Sequence, residues 1–505
     1  MHLRIAIVAF LALAGLSEPA FAQVAQTNGG AVLGAVEDGV QIFRGLPYAA
    51  APVKELRWTP PQPVQAWQGV RDATKFGPIC PQPPFGDNPI TEPLSEDCLF
   101  INVWSPPQAP SAKLPVMVFI HGGAYEGGSS SDPLYDGARL AKKGVVVASL
   151  NYRLGTLGFL AHPALSAASP QNVSGNYGML DQIAALKWVQ ANIAGFGGDP
   201  SNVTIFGESA GGNAVMTLMA SPLAKGLFSK VIAQSPVGGY PIPTLAEAEA
   251  MGAKLGAIED LRKQPFNQLL ATNSKLVPVT QPLAPMPLPG PVFDGWFLTQ
   301  QPAKHLANPV PLIVGNNADE GSMFAHRGAP PTKAAFDDRL TKVSGPLAPE
   351  AIATYSPASD SDLLQKNAIL VGDVLFAAAA RHAAMQVAAA GQPVYRYVFS
   401  VDMAGRAPMH SDELRYVFGT THLPGYTGLP AADDQDRRIS ALMMDAWVNF
   451  AKTGSPSSAA VEWPAAGTKG APLLEITESP HVLNAYRDAP LDLIGKMNAG
   501  LFNGK

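Results

Sequence analysis

The chain has 505 residues, with 35 Lys and Arg against 40 Asp and Glu, a net charge of −5 and only 15% charged residues. So mild a balance over such a length gives no electrostatic basis for holding nucleic acid or an anionic membrane. Its 48 Gly and 48 Pro suit a loop-rich globular protein, and no internal repeat, charge run or linker divides it.

In chain order, Met1-His2-Leu3-Arg4 is a short basic start, Ile5 to Leu16 an apolar run, and Ala20-Phe21-Ala22 a small-x-small cleavage site. This pattern predicts a secretory leader over 1–22, removed after Ala22, and a mature exported chain beginning at Gln23. The leader's apolar run is too short to span a membrane, no cysteine follows it, and no later segment is expected to be long and apolar enough for an anchor. Residues 23–505 are expected to form one large domain with insertions. Gln41 to Gly45, Leu99 to Trp104, Leu114 to Ile120 and Val145 to Leu150 read as strands. So do Val203 to Phe206, Ile313 to Gly315 and Val394 to Phe399, with Leu180 to Ile193 and Ala210 to Ala220 as helices between them. That alternation predicts an α/β fold, a mostly parallel sheet with helices on both faces. Ser274 to Gly295 reads as a Pro-rich loop, while Ala246 to Asn273 and Ala334 to Ala390 read as helical insertions capping the carboxyl ends of the strands. The Ala-rich stretch Gly372 to Ala390 reads as a packed helix. Cys80 and Cys98 are the only cysteines, and in an exported chain an isolated pair predicts a disulfide rather than a metal site. Its closed loop would stabilise by about 3 kcal/mol.

Two motifs carry chemistry. Gly207-Glu208-Ser209-Ala210-Gly211 joins a predicted strand to a predicted helix, a sharp strand-to-helix turn that presents a serine hydroxyl clear of the sheet. Upstream, the strand Leu114 to Ile120 runs into His121-Gly122-Gly123-Ala124, where backbone N–H groups can approach a substrate oxygen because glycine offers no side chain. A nucleophilic serine needs a histidine base and an orienting acid, in the chain order Ser, acid, His. The strand ending at Gly315 leads into Asn316-Asn317-Ala318-Asp319-Glu320, and Asp319 and Glu320 both qualify as the acid. His2, His121, His162 and His305 precede any suitable acid, His326 lies too near it, and His382 and His481 fall on other elements. His410 and His422 remain.

These residues resemble the type-B carboxylesterase/lipase family of α/β hydrolases over nearly all of the mature chain. The resemblance rests on Phe43-Arg44-Gly45-Leu46-Pro47-Tyr48-Ala49, on Ser95-Glu96-Asp97-Cys98-Leu99-Phe100-Ile101-Asn102-Val103, on Asn151-Tyr152-Arg153, on Asn176 to Gln182 and on Phe206 to Gly212, in the family order. It implies Glu320 as the acid and His410 as the base. It also implies oxyanion donors at the N–H groups of Gly123, Ala124 and Ala210, a disulfide between Cys80 and Cys98, and ion pairs Arg44–Glu96 and Arg153–Asp181. Glu208 reads as a brace beside Ser209 rather than a proton carrier. The family's cholinesterases stack a tryptophan of the disulfide loop on a quaternary ammonium. This loop has none, with Phe85 its only aromatic and Asn88 ten residues before Cys98, so cholinesterase activity is not expected. Tyr125, Met323 and Phe324 are expected to line an apolar gorge, and His326 and Arg327 could meet a carboxylate on a substrate.

The reading is therefore serine-dependent hydrolysis of a small-molecule carboxylic ester through an acyl-enzyme, with no metal or organic cofactor and a monomer by default. A related acyl substrate (amide, carbamate, lactone or triglyceride) is the alternative within hydrolases, and a non-catalytic binding protein of the same fold is the alternative outside them. A histidine base loses activity as pH falls below its pKa, near 6.5 if unperturbed. N-terminal sequencing of the exported protein should give Gln23 as its first residue; a product still carrying Met1 would refute the leader.

Overall fold

The computed structural model describes residues 23–84, 92–106, 112–276, 281–284, 289–326 and 328–501. The predicted leader over 1–22, together with Phe85, Asn88 and Arg327, lies outside the described residues. Strands run at Gln23–Thr27 (β1), Gly30–Glu37 (β2), Val40–Pro47 (β3), Val70–Asp72 (β4), Phe100–Ser105 (β5), Leu114–Ile120 (β6) and Val146–Leu150 (β7). They continue at Gly198–Glu208 (β8), Lys230–Gln234 (β9), Leu312–Asn317 (β10), Val394–Phe399 (β11), Leu473–Ile476 (β12) and His481–Leu483 (β13).

Along β6 alternate side chains enter different cores. Val116, Val118 and Ile120 join a cluster with the helices Tyr177–Asn192, Ala210–Ala220 and Ala378–Ala389. Met117 and Phe119 join a second cluster with Trp447 and Phe450 of the helix Asp434–Thr453. Both faces of the strand are dry, which is why its sequence is uniformly apolar rather than alternating. The strand order is β1-β2-β3-β5-β7-β6-β8-β9-β10-β11-β12-β13, with β4 on β2. Pairing is parallel from β7 through β12 and between β2 and β4, and antiparallel for the other flanking pairs, so the sheet is mostly parallel, as expected. β6 has β7 on one side and β8 on the other. The chain thus reverses its direction of winding between them, and the carboxyl ends at such a switch point open a crevice. The Gly-rich loop after β6 and the Ser209 turn after β8 emerge there.

Helices cover 177–192 and 210–220, and the two insertions are helical as expected, including Leu245–Gly252, Lys333–Ser344 and Leu363–Gly372. The run Asp360–Ala389 corrects one expectation: by length and composition it could cross a membrane. However, 72% of its apolar window is buried inside the protein, so it is a core helix. The Cys80–Cys98 disulfide is formed.

The two ion pairs divide. Arg153 grips Asp181 through Nε at 2.8 Å and Nη2 at 2.7 Å, both side chains buried. Arg44 does not meet Glu96. It sits where the β3–β5 register shifts, and its guanidinium turns to Glu37 on neighbouring β2 at 2.5 and 2.8 Å. Glu96 instead receives Arg57 at 2.8 and 2.5 Å. A Cβ placed on Gly211 would lie 2.0 Å from the Ile120 carbonyl oxygen and 2.9 Å from that of His121. Gly211→Ala should therefore destabilise by about 1–3 kcal/mol or more by overpacking backbone against backbone. An unchanged melting temperature would refute this close approach.

Candidate active site

Ser209 leaves β8 with φ 56° and ψ −120°, a left-handed conformation that costs a non-glycine residue about 1–3 kcal/mol. Hydrogen bonds at both of its peptide groups hold that shape: its N–H donates to the Gln234 carbonyl at 2.9 Å, and its carbonyl accepts from Asn213 N–H at 2.8 Å. Ala124, Tyr125, Ser235 and Ser411 also carry positive φ. Five of the twelve positive-φ non-glycine residues among the described residues thus lie on the segments of this site, where surrounding packing must over-determine them. The Ser209 side chain is half-buried, and its hydroxyl makes no hydrogen bond among the described residues.

Glu320 and His410 come from loops after β10 and β11, which the bridge between Asp319 and Met409 ties together. His410 Nδ1 lies 2.6 Å from Glu320 Oε2. The other oxygen, Oε1, accepts from the Asn317 N–H and the Ser235 hydroxyl, each at 2.6 Å. Asp319, the other qualifying acid, is half-buried and instead accepts from the Ser322 N–H at 3.2 Å. His422 is exposed. On the far side of the His410 imidazole, Nε2 faces Glu208 Oε1 at 3.2 Å, and that same oxygen accepts from the Ser411 hydroxyl at 2.7 Å. The rings of Phe376 and Phe324 close over the imidazole, with centroids 4.6 and 5.2 Å away.

Beneath lies a third buried carboxyl, Glu413. It accepts from Gln234 Nε2 at 2.9 Å and Asn317 Nδ2 at 2.7 Å, while Trp447 Nε1 donates to Gln234 Oε1 at 3.1 Å. Burial raises the Glu208 and Glu413 carboxyls above the usual range, reinforced at each by repulsion from the neighbouring carboxylates. At His410 burial alone would lower the imidazole pKa, but the carboxylates of Glu208 and Glu320 outweigh it and raise it. The two raised carboxyls, Glu208 and Glu413, and the imidazole therefore share protons near neutrality, which limits the net charge buried there. Sequence reasoning missed Gln234, Ser235, Asn317 and Glu413 as parts of the site. The apolar strands ending in Gln234 and Asn317 were a signal, since a polar residue closing a buried strand needs a partner.

The N–H groups of Gly123, Ala124 and Ala210 make no hydrogen bond among the described residues. Their loop is clamped from behind. The His121 ring stacks on Tyr152 at 4.5 Å, and burial lowers its pKa to about 4, which keeps it neutral. Tyr125 is buried, packs 5.0 Å from Phe159 and donates its hydroxyl to Asn213 Oδ1 at 2.6 Å. Of the expected gorge residues, Tyr125 thus bolts the loop to the helix after Ser209, Phe324 walls the imidazole, and Met323 is 39% exposed. His326 is exposed.

The chain matches the model of the carboxylesterase family over residues 22–494. It is 42% identical over 459 residues to a fumonisin B1 esterase of Sphingopyxis macrogoltabida, covering 87% of this chain and 84% of that one. Against a para-nitrobenzyl esterase of Bacillus subtilis it is 38% identical over 471 residues, covering 88% and 92%. A solved PNB esterase structure superposes with a TM-score of 0.80 at 36% identity, over 94% of this chain and 99% of that one. The chain belongs to the carboxylesterase family and is a carboxylic ester hydrolase of the α/β-hydrolase fold.

Proposed function

We propose that Ser209 is the nucleophile of this hydrolase, His410 its base and Glu320 the orienting acid, with Gly123, Ala124 and Ala210 as oxyanion donors. The observation that carries the reading is the buried 2.6 Å contact of His410 Nδ1 with Glu320, beside the strained turn that bears Ser209. With Nδ1–H donated to the carboxylate, the neutral imidazole leaves the Nε2 lone pair free to accept a proton. Nε2 takes the Ser209 proton as Oγ attacks the ester carbonyl carbon, and the carbonyl oxygen becomes an oxyanion facing the three N–H groups. Each such donor is worth roughly 3 kcal/mol. The tetrahedral intermediate collapses, the bond to the leaving alkoxide breaks, and that oxygen recovers the proton from Nε2. Water then attacks the acyl-enzyme with the same nitrogen as base, releasing the acid and restoring the serine.

At rest Nε2 faces Glu208, so the imidazole exchanges that carboxyl for the Ser209 hydroxyl as substrate enters. Catalytic hydrogen bonds commonly tighten only in the complex. Glu208 acts as a brace whose charge tunes the base. The mature chain, 23–505, is read as one exported, monomeric domain without a retained anchor, acting on a small-molecule ester. The name of the Sphingopyxis relative makes fumonisin B1 one ester to test beside para-nitrobenzyl esters. Amides, carbamates, lactones and triglycerides belong in the same screen, where interfacial activation on emulsions would mark a lipase.

Ser209→Ala should fold like the wild type, take up no organophosphonate and lose turnover; wild-type-like turnover would end the assignment. The carboxylates raise the His410 pKa, so the neutral base is present above that raised value and lost as pH falls through it. The acid limb of kcat/KM should therefore have its midpoint above the 6.5 of an unperturbed imidazole. Glu208→Gln, which removes one of those charges, should move the limb to lower pH. An acid limb unmoved by E208Q, or one centred below 6.5 in the wild type, would contradict the charge cluster.

A further inference from the structure

The wall over the imidazole is built from an irregular piece of helix. The segment Asp373–Ala377 between the α-helices Leu363–Gly372 and Ala378–Ala389 is a π turn, closed by the Ala378 N–H donating to the Asp373 carbonyl. One extra residue in a turn rotates everything after it by about 100° relative to an uninterrupted α-helix. Both flanks of this turn are locked in place. Upstream, a Cβ on Gly321 would lie 1.8 Å from the Ala368 carbonyl oxygen, so the helix rests directly on the backbone beside Glu320. Downstream, Ala380, Ala383, Ala384 and Val387 pack into the core under the sheet. The π turn reconciles these two docking faces and points Phe376, which is 1% exposed, at His410. Its first residue is bolted outward: the Asp373 carboxylate receives Arg487 at 2.8 and 2.5 Å and the Tyr355 hydroxyl at 2.8 Å. Arg487 immediately precedes the C-terminal helix Asp488–Leu501, whose Leu491, Ile494 and Met497 pack in one cluster with Phe376.

We propose that Phe376 is a positioning residue for ester hydrolysis, held against His410 by the π turn and its Asp373–Arg487 anchor, where its ring shields the imidazole from water and restricts its rotation between Glu208 and Ser209. This rests on His410 being the base. The ring cannot exchange protons, so it acts through the environment of the imidazole. The ionisable groups around His410 are Glu208 from the nucleophile turn, Glu320 from the acid loop and Glu413 from its own loop. The π turn's own ionisable group, Asp373, is paired with Arg487 and Tyr355. Burial opposes charge on the imidazole, so removing the ring admits water, favours the imidazolium and delays the neutral base to higher pH.

The test compares Phe376→Ala, Phe376→Leu and Arg487→Met in the full mature chain, reading kcat, KM, the pH profile of kcat/KM and thermal unfolding. F376A should lower kcat about tenfold with little change in KM, and move the acid limb to higher pH. F376L, which keeps the apolar bulk, should leave the limb near its wild-type position. R487M, at a half-exposed position, should move it in the same direction as F376A by less, and serves alone if F376A does not fold. A merely structural ring would scale kcat/KM with the folded fraction at every pH; limbs unmoved in F376A or in R487M while His410→Gln is inactive would overturn the role of Phe376 alone. Turnover by H410Q would overturn the base assignment and this inference with it.

Discussion

Glu208, Glu320, Glu413 and His410 are withdrawn from water together, and that burial constrains most of the structure around them. A single buried carboxylate costs several kcal/mol unless hydrogen-bonded or neutralised, and three side by side also repel one another. Every oxygen of the set is accordingly engaged, save Glu208 Oε2, which lies against the glycine backbone after His121. The donors come from the ends of β9 and β10, from the turn after β9 and from the loop carrying the histidine. These strand ends cannot move independently without unpairing a buried charge. The same condition fixes the imidazole: its Nδ1 is committed to Glu320, so only Nε2 is available to the half-buried serine side.

The sheet supplies the rigidity this arrangement demands. β8 lies between β6 and β9, and the Gln234 carbonyl at the end of β9 holds the strained Ser209 peptide. Gln234 therefore serves twice, its backbone supporting the Ser209 turn and its side chain supporting Glu413. Strain at Ser209 persists because two apolar cores, one on each face, fix the strands that flank it. Deforming the turn would disturb packing on both faces at once.

Much of this was legible before any coordinates, for identifiable reasons. Leu114–Ile120 begins and ends where its apolar run does, because a strand buried on both faces has no polar residue to blur its edges. Val394–Phe399 was legible from its β-branched and aromatic residues, although it buries Arg396, which donates to the Gly470 carbonyl. The G-x-S-x-G turn was legible because only glycine tolerates the approach of Gly211 to the Ile120 carbonyl. The choice between Asp319 and Glu320 was not, since adjacent carboxylates differ only in which way the loop turns them. Nor was the partner of Arg44: local pairing with Glu37 depends on a register shift that no composition reveals. The flanking strands β1 and β2 were missed because their alternation is broken by small residues, and the π turn because its residues suit an α-helix equally well.

The position of the π turn in the chain explains why an insertion can influence chemistry. All helices from Lys333 to Ala389 lie between β10, which precedes Glu320, and β11, which precedes His410. The segment is thus tethered at one end to the strand before Glu320 and at the other to the strand before His410, and it folds back on the loops that follow both. Its contact with Gly321 is backbone on backbone, so a displacement of the helix is transmitted to the acid without a soft side chain between them. Its aromatic contact reaches the base, while Arg487 extends the brace to the C-terminal helix. The sheet sets where Ser209 stands, and the insertion supplies the aromatic wall over the His410 imidazole. On the proposed role of Phe376, changes in the inserted helices retune the imidazole without touching any residue that exchanges a proton.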